Sequence, residues 1–537
     1  MSVELDSSFA SPRTRYLQLC CTPACRVKLL KNKGAILIVG WSYLVGSVFH
    51  LLRAGYKEKT DGYVSNTGII LVSTAVLYPI GGWLADTRIG RYTMIRYSMW
   101  IMWIGSILAT FNEVLSDVST MYKSLSSVKI WVFRALCIIM AIALGGFQSN
   151  TVQLGIEQLT DASATEITSF ITWYTLTFFT SGLTLHYISD CIASEYKMFY
   201  IKTLTVALCL TVALCSDFLF QHWLIKEQVA RKSLQTILKV IKYMIRNRKL
   251  RHNFINEGEP LSPFDVAKYR YGGPFTDQQV ENVRTFVWMM IVMATCTIVC
   301  SVIVPVGYAQ EKVMARFINW EEDTGFTGCY EKLSIHYCTY TSVIVVVLLY
   351  KFVVHPLFSR CLPRVSIINM FLFGTTTTFM WIVSLLIIET VIYQDQLYSG
   401  ECVFADGSSE SKVNMNYKWL LVPEFICGLS MFSIMLSAFE FMWSQAPSTM
   451  KGMVFGFGYL LLGLSVLLHT AIASPFIFHK PVTVSWENIK LTCGIWYFLT
   501  EGMITLVVLI VITVILQRYK KRNKHKFDPY ATYITHS

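Results

Sequence analysis

The chain has 537 residues, of which 54% are hydrophobic and 15% charged, with a formal net charge of +12 at pH 7. Apolar residues in that proportion exceed what soluble cores can hide, which excludes a soluble globular protein and leaves the bilayer as the solvent. A span needs roughly 20 apolar residues, because each helical residue rises about 1.5 Å against about 30 Å of hydrocarbon that offers the backbone no hydrogen-bond partner.

Residues 1–33 hold no apolar stretch that reads as a cleaved signal, so the first span is expected to be its own anchor. They carry six Lys/Arg against Glu4 and Asp6, and Cys20, Cys21 and Cys25 just before the first span read as unmodified thiols or as palmitoylation sites. Apolar runs follow near 34–52, 63–85, 94–111, 130–153, 167–188 and 199–223, predicting a bundle of six helices over 34–223. A polar interval, 224–284, carries twelve Lys/Arg against six acids. Within it Ile225, Val229, Leu234, Ile237, Leu238 and Ile241 recur at helical spacing among bases, the pattern of an amphipathic helix on a membrane surface or of a plain linker. Six further runs, near 285–306, 337–357, 365–392, 418–441, 452–476 and 491–517, predict a second bundle over 285–517. The tail, 518–537, is basic again.

The fold class expected is therefore an all-α membrane protein of about twelve spans. Positively charged segments are retained in the cytoplasm, which places both termini and the connector there, and the acidic 393–417 loop outside. The basic balance reports topology rather than nucleic-acid binding. Lipid is the obligatory partner, and the connector and tail are candidate sites for cytoplasmic protein partners. Most of the fifteen cysteines fall inside spans and read as packing; Cys329 and Cys402, in separate predicted outer loops, are a candidate disulfide. Neither a nucleophile with its base, a metal-ligand cluster nor a phosphate loop stands out, so no enzyme activity, cofactor or metal is expected.

Two motifs carry more. Gly81 to Ile95, GGWLADTRIGRYTMI, closes the second run. There Gly82 allows close helix approach, Gly90 permits a bend and Asp86 can pair with Arg91. Ala438 to Met453, AFEFMWSQAPSTMKGM, sets Glu440 near a helix end and Pro447 at its stop. The first resembles the G-x-x-x-A-D-x-x-x-G-R-Y signature, and the second the E-F-x-x-x-Q-A-P-x-x-M-K stretch, of the proton-coupled oligopeptide transporters of the major facilitator superfamily. GGFQSNTVQLGIEQL (145–159) and PFDVAKYRYGG (263–273) are weaker matches in the same order. The resemblance implies two six-helix halves, a substrate site between them, and a gating role for Gly82, Asp86, Gly90 and Arg91.

The departures fall on the residues that carry the family's chemistry. The first run lacks the E-x-x-E-R acids, Gln148 stands in place of Lys, and Met431 in place of a substrate-facing Glu. The remaining candidates for substrate or coupling are Tyr43, Gln148, Asn150, Trp173, Tyr174, Trp288, Glu389, Met431, Glu440, His469 and Glu501. Arg134, His186, Asp217 and Trp496 are further ionisable or aromatic residues of the spans. The expected function is secondary active transport of small peptides or a related small polar solute by alternating access, with proton coupling an open question. The rivals are a transport-deficient scaffold or sensor of the same fold, and a carrier of a non-peptide solute such as an anion. Plasma membrane and endolysosomal membrane are both compatible with the sequence.

Overall fold

The computed structural model describes residues 32–57, 75–118, 126–159, 163–186, 192, 200–226, 233–247, 262–314, 335–354, 366–394, 417–447, 450–478 and 493–522. Among them the regular structure is helical, joined by short turns and an isolated bridge between Lys268 and Phe275. The helices of the first half are α1 Lys33–Lys57, α2 Leu77–Leu84, α3 Arg91–Val118, α4 Ser126–Glu157, α5 Ala164–Ser181 and α6 Tyr200–Phe220. The connector supplies α7, Ser233–Arg246. The second half follows as α8 Asp277–Met314, α9 Ile335–Leu349, α10 Ile367–Gln394, α11 Leu421–Gln445, α12 Lys451–Phe478 and α13 Cys493–Arg522. In α1, α3, α4, α6, α10, α11 and α13 the described residues alone are long and apolar enough to cross a bilayer.

Hydrocarbon explains how a sequence rich in Thr and Ser stays helical. In α5 the hydroxyls of Thr172, Thr175 and Thr180 each return to the carbonyl four residues back, at 2.7 to 2.9 Å, so these hydroxyls are satisfied within their own helix. The start of α5 is secured by the Ser163 amide, which donates to the Glu166 carboxylate at 2.7 Å. Lipid-facing positions are large and apolar: Phe111, Leu208, Val212, Ile387 and Ile510 are all exposed.

The start of α1, the end of α13 and the described ends of the connector sit at one end of the bundle. Gln158, at the close of α4, accepts the Ile225 amide at 2.7 Å and donates to its carbonyl at 3.2 Å, while its own carbonyl accepts from Asn32 just before α1. Tyr519, near the end of α13, donates to Gln445 at the close of α11 at 3.1 Å. This is the connector end; the other is the far end. Ile225, expected on the amphipathic helix, precedes it outside any helix, and Val229 lies outside the described residues. After α7 a compact turn forms, in which Lys268 bridges Asp265 at 2.6 Å and Glu281 of α8 at 2.7 Å. The two halves meet where α12 packs on α2 and α4, and where α5 packs on α9 and α11.

Candidate functional site

The Gly81 to Ile95 segment forms a tight junction between the halves. After α2 the backbone widens into one π-type turn, Ala85–Ile89, and Gly90 then takes φ 88°, a conformation that favours glycine. The turn aims Asp86 inward, where its carboxylate is buried. One oxygen accepts from Arg91 Nε at 3.1 Å and Nη2 at 3.0 Å, and the other accepts the backbone amide of Met453 at 3.0 Å. Met453 lies in the first turn of α12, which has no acidic residue of its own there, so Asp86 caps that helix from the opposite half. Arg91 also ion-pairs with Glu157 of α4. Gly82 makes the approach possible, since a Cβ there would lie 2.0 Å from the Gly452 carbonyl oxygen. Two further contacts close the connector end: Thr168 of α5 donates to Glu440 of α11, and Lys351, in the turn after α9, donates to Ser169. Lys451 also lies over the Trp443 ring, 3.2 Å from its centroid.

The next layer is aromatic. Tyr78 stands eight residues before Asp86, about 12 Å of helical rise. It stacks on Tyr459 of α12 with centroids 5.2 Å apart and donates to Gln148 of α4 at 3.0 Å. Tyr174 of α5 meets Phe439 of α11 edge-on at 5.9 Å and hydrogen-bonds Tyr459 and Ser42. Ring faces, three phenol hydroxyls and one amide thus meet across the interface, with rings from both halves.

Four to five residues further along α5 than Tyr174, about 6–8 Å, Phe178 and Phe179 mark a second closure at the far end. His50 of α1 is 1% exposed, and its Nδ1 lies 3.2 Å from the Tyr340 hydroxyl of α9, which is also buried. The rings of His50 and Tyr340 sit 5.2 Å apart, Phe179 packs on Tyr340 at 5.8 Å, and Phe178 packs on Phe49 at 5.2 Å.

The remaining sequence candidates are distributed unevenly. Tyr43 hydrogen-bonds Thr184 at 2.7 Å within the first half. Asn150 is fully buried and turned back on α4, donating to the Gly146 carbonyl at 2.8 Å and to Ser149 at 3.1 Å. Trp173, Trp288 and Met431 are half-buried. Glu389 and Glu501 are completely buried, on α10 and α13, which pack against each other. Asp217 accepts from Tyr92 and pairs with Arg96, Arg134 lies over the Trp131 ring, and Trp496 is exposed. The side chains of His469 and His186, and both Cys329 and Cys402, lie outside the described residues. Sequence reasoning did not single out His50, Glu157, Tyr78, Tyr340 or Tyr459. His50 sits in an otherwise apolar run, and the other four have partners distant in sequence.

No protein-family sequence model matches the chain. Comparison with solved structures does find relatives in shape. The crystal structure of the POT family transporter PepTSo superposes with a TM-score of 0.65 at 13% identity, covering 92% of this chain and 99% of that one. The fold is that of the POT transporters. An auto-inhibited POT family peptide transporter gives 0.59 at 14% identity, covering 91% and 97%. A POT family transporter in complex with 5-aminolevulinic acid gives 0.59 at 12%, covering 90% and 96%. The chain is therefore an all-α membrane protein with the major facilitator architecture of about twelve transmembrane helices in two six-helix halves. In POT terms, the Asp86 turn joins the halves at the connector end, and the tyrosine layer lies between them.

Proposed function

We propose that this chain is a divergent POT-type carrier working by alternating access, and that the structure corresponds to its occluded state with the connector end in the cytoplasm. The observation that carries the reading is the pair of opposed closures between the halves. One comprises Asp86–Met453, Thr168–Glu440 and Ser169–Lys351, and the other is the His50–Tyr340 contact. The first rests on three hydrogen bonds to charged groups, individually worth about 1.5–3 kcal/mol net, and the second on one bond of about 0.5–1.5 kcal/mol, so either can break without unfolding a half.

The layer between the closures defines what the carrier accepts. POT transporters have been solved with 5-aminolevulinic acid and with alafosfalin, both small polar molecules. Here Tyr78, Tyr174, Tyr459 and Gln148 offer hydroxyls, an amide and ring faces, while Met431 and Gln148 replace the charges that would grip peptide termini. The substrate is accordingly a small polar solute, peptide-like in size, held by hydrogen bonds and stacking. Stacking of Tyr78 on Tyr459 also favours a second reading, a transport-deficient scaffold in which those rings fill the site for good.

Uptake into proteoliposomes of the purified chain decides between them, using a dipeptide library, neutral polar solutes and an anion panel, each with and without an inward proton gradient. Saturable uptake of a neutral solute, reduced by Tyr459→Ala, is the expected outcome. Absence of any uptake, in liposomes where a control carrier works, rejects transport and leaves the scaffold. Gradient dependence separately decides proton coupling.

A further inference from the structure

The connector helix α7 carries two faces, and among the described residues only one packs on another element. Ile237 and Val240 are buried, where α7 packs on the start of α8 and on the turn at 265–267. Tyr243 adds a ring contact to Phe275 at 6.1 Å and a hydrogen bond to the Gly272 carbonyl at 3.5 Å. On the other side Leu238 and Ile245 are 60% and 65% exposed. Seven residues apart, they stand on one line along the helix, about 10 Å from each other. Lys239 and Arg246 repeat that spacing about 100° round the axis, Lys242 falls between the two lines, and all three bases are exposed.

We propose that this face is a docking surface for the anionic leaflet of the membrane in which the chain sits, with Leu238 and Ile245 immersed at the headgroup boundary and Lys239, Lys242 and Arg246 on lipid phosphates and carboxylates. Three observations select lipid as the occupant. An apolar line flanked by bases is the pattern of interfacial helices. The buried face of α7 rests on α8, the helix that carries the chain into the bilayer, and α6 on the other side of the connector still exposes Phe218 and Leu219 in its last turn. Two exposed apolar side chains fall far short of the roughly 1,200 Å² that a stable protein interface buries, whereas a bilayer already in place demands no such area. The inference does not depend on whether the chain transports anything.

The test is hydrogen–deuterium exchange of the full-length protein in nanodiscs of phosphatidylcholine alone or mixed with phosphatidylserine, read on peptides covering 233–246. Exchange is expected to slow in the anionic bilayer and to recover in high salt. Each of Lys239→Gln, Lys242→Gln and Arg246→Gln removes about fivefold of that slowing. Leu238→Gln with Ile245→Gln abolishes it while exchange over 262–276 is unchanged, showing that the buried face of α7 still holds. Equal exchange in the two bilayers at low salt overturns the proposal. So does slowing that survives removal of all three bases, or that appears only when a soluble protein is added regardless of lipid composition.

Discussion

Asp86 accepts three hydrogen bonds from two residues, Arg91 and Met453, and its replacement therefore has a directed effect. Asp86→Asn keeps an acceptor but loses the charge that Arg91 and the amino end of α12 both face. Charge-assisted bonds are about twice as strong as neutral ones, so the closed connector end is expected to lose about tenfold in population. Thiol labelling of single cysteines placed at that end reads the change; unaltered labelling in a normally expressed variant removes the gating role of Asp86. Gly82→Ala acts through sterics at the same place. With a Cβ 2.0 Å from the Gly452 carbonyl, both backbones must part, and the variant is expected to fold yet stay open at the connector end. Tyr340→Phe tests the opposite closure. It deletes one hydrogen bond to His50 and keeps the rings, so labelling at the far end is expected to rise about two- to tenfold.

At the scale of elements, the connector is held by an ionic clasp in addition to the buried apolar contacts of Ile237, Val240 and Ala267. Lys268 joins Asp265 and Glu281, and Arg284 adds a bond to Glu281 at 3.2 Å. Burial by itself lowers the Lys268 pKa, yet the two carboxylates outweigh it and the net shift is upward. A raised lysine contributes stability that is complete below its ordinary value of about 10.4 and fades only as pH rises through the higher folded value. The Lys268 contribution to local protection of residues 262–284 should therefore stay constant through the neutral range and disappear under strong alkali. Wild type compared with Lys268→Met by pulsed exchange checks this, and a Lys268 contribution that declined already between neutral and mildly alkaline pH would contradict it. The helix α12 is the complementary case. Its first turn lacks an acid of its own and borrows Asp86, so its amino end is satisfied only while the halves touch.

For the whole molecule, the two closures lie about 16 Å apart along the helices, from Lys351 to Tyr340 on α9 and its following turn, with the tyrosine layer between. Rigid halves that rock about that layer cannot open both ends at once. Spin-label distances across each end should consequently move in opposite senses. Asp86→Asn is expected to widen the connector end while the far end stays closed, and Tyr340→Phe the reverse. Simultaneous widening of both ends in either variant would show that the halves do not move as rigid bodies.

How much of this is legible without coordinates differs by kind of information. Run length and composition specify a bundle of membrane helices, because lipid leaves no other state in which twenty apolar residues satisfy their backbone. Local spacing specifies the Asp86–Arg91 pair, five residues apart across a glycine bend, and the amphipathic character of the connector. Neither source reveals that Met453, 367 residues further on, supplies the third bond to Asp86. They are equally silent on His50 meeting Tyr340 across 290 residues, and on Tyr78 and Tyr459 stacking. Asn150 shows the same limit from the other side: its motif suggests a site residue, and the fold turns it back onto its own helix. An apolar helix is compatible with many neighbours, since packing in lipid depends on shape rather than on a hydrophobic pattern. Which side chains face one another across the halves was therefore decided only when the twelve helices came together.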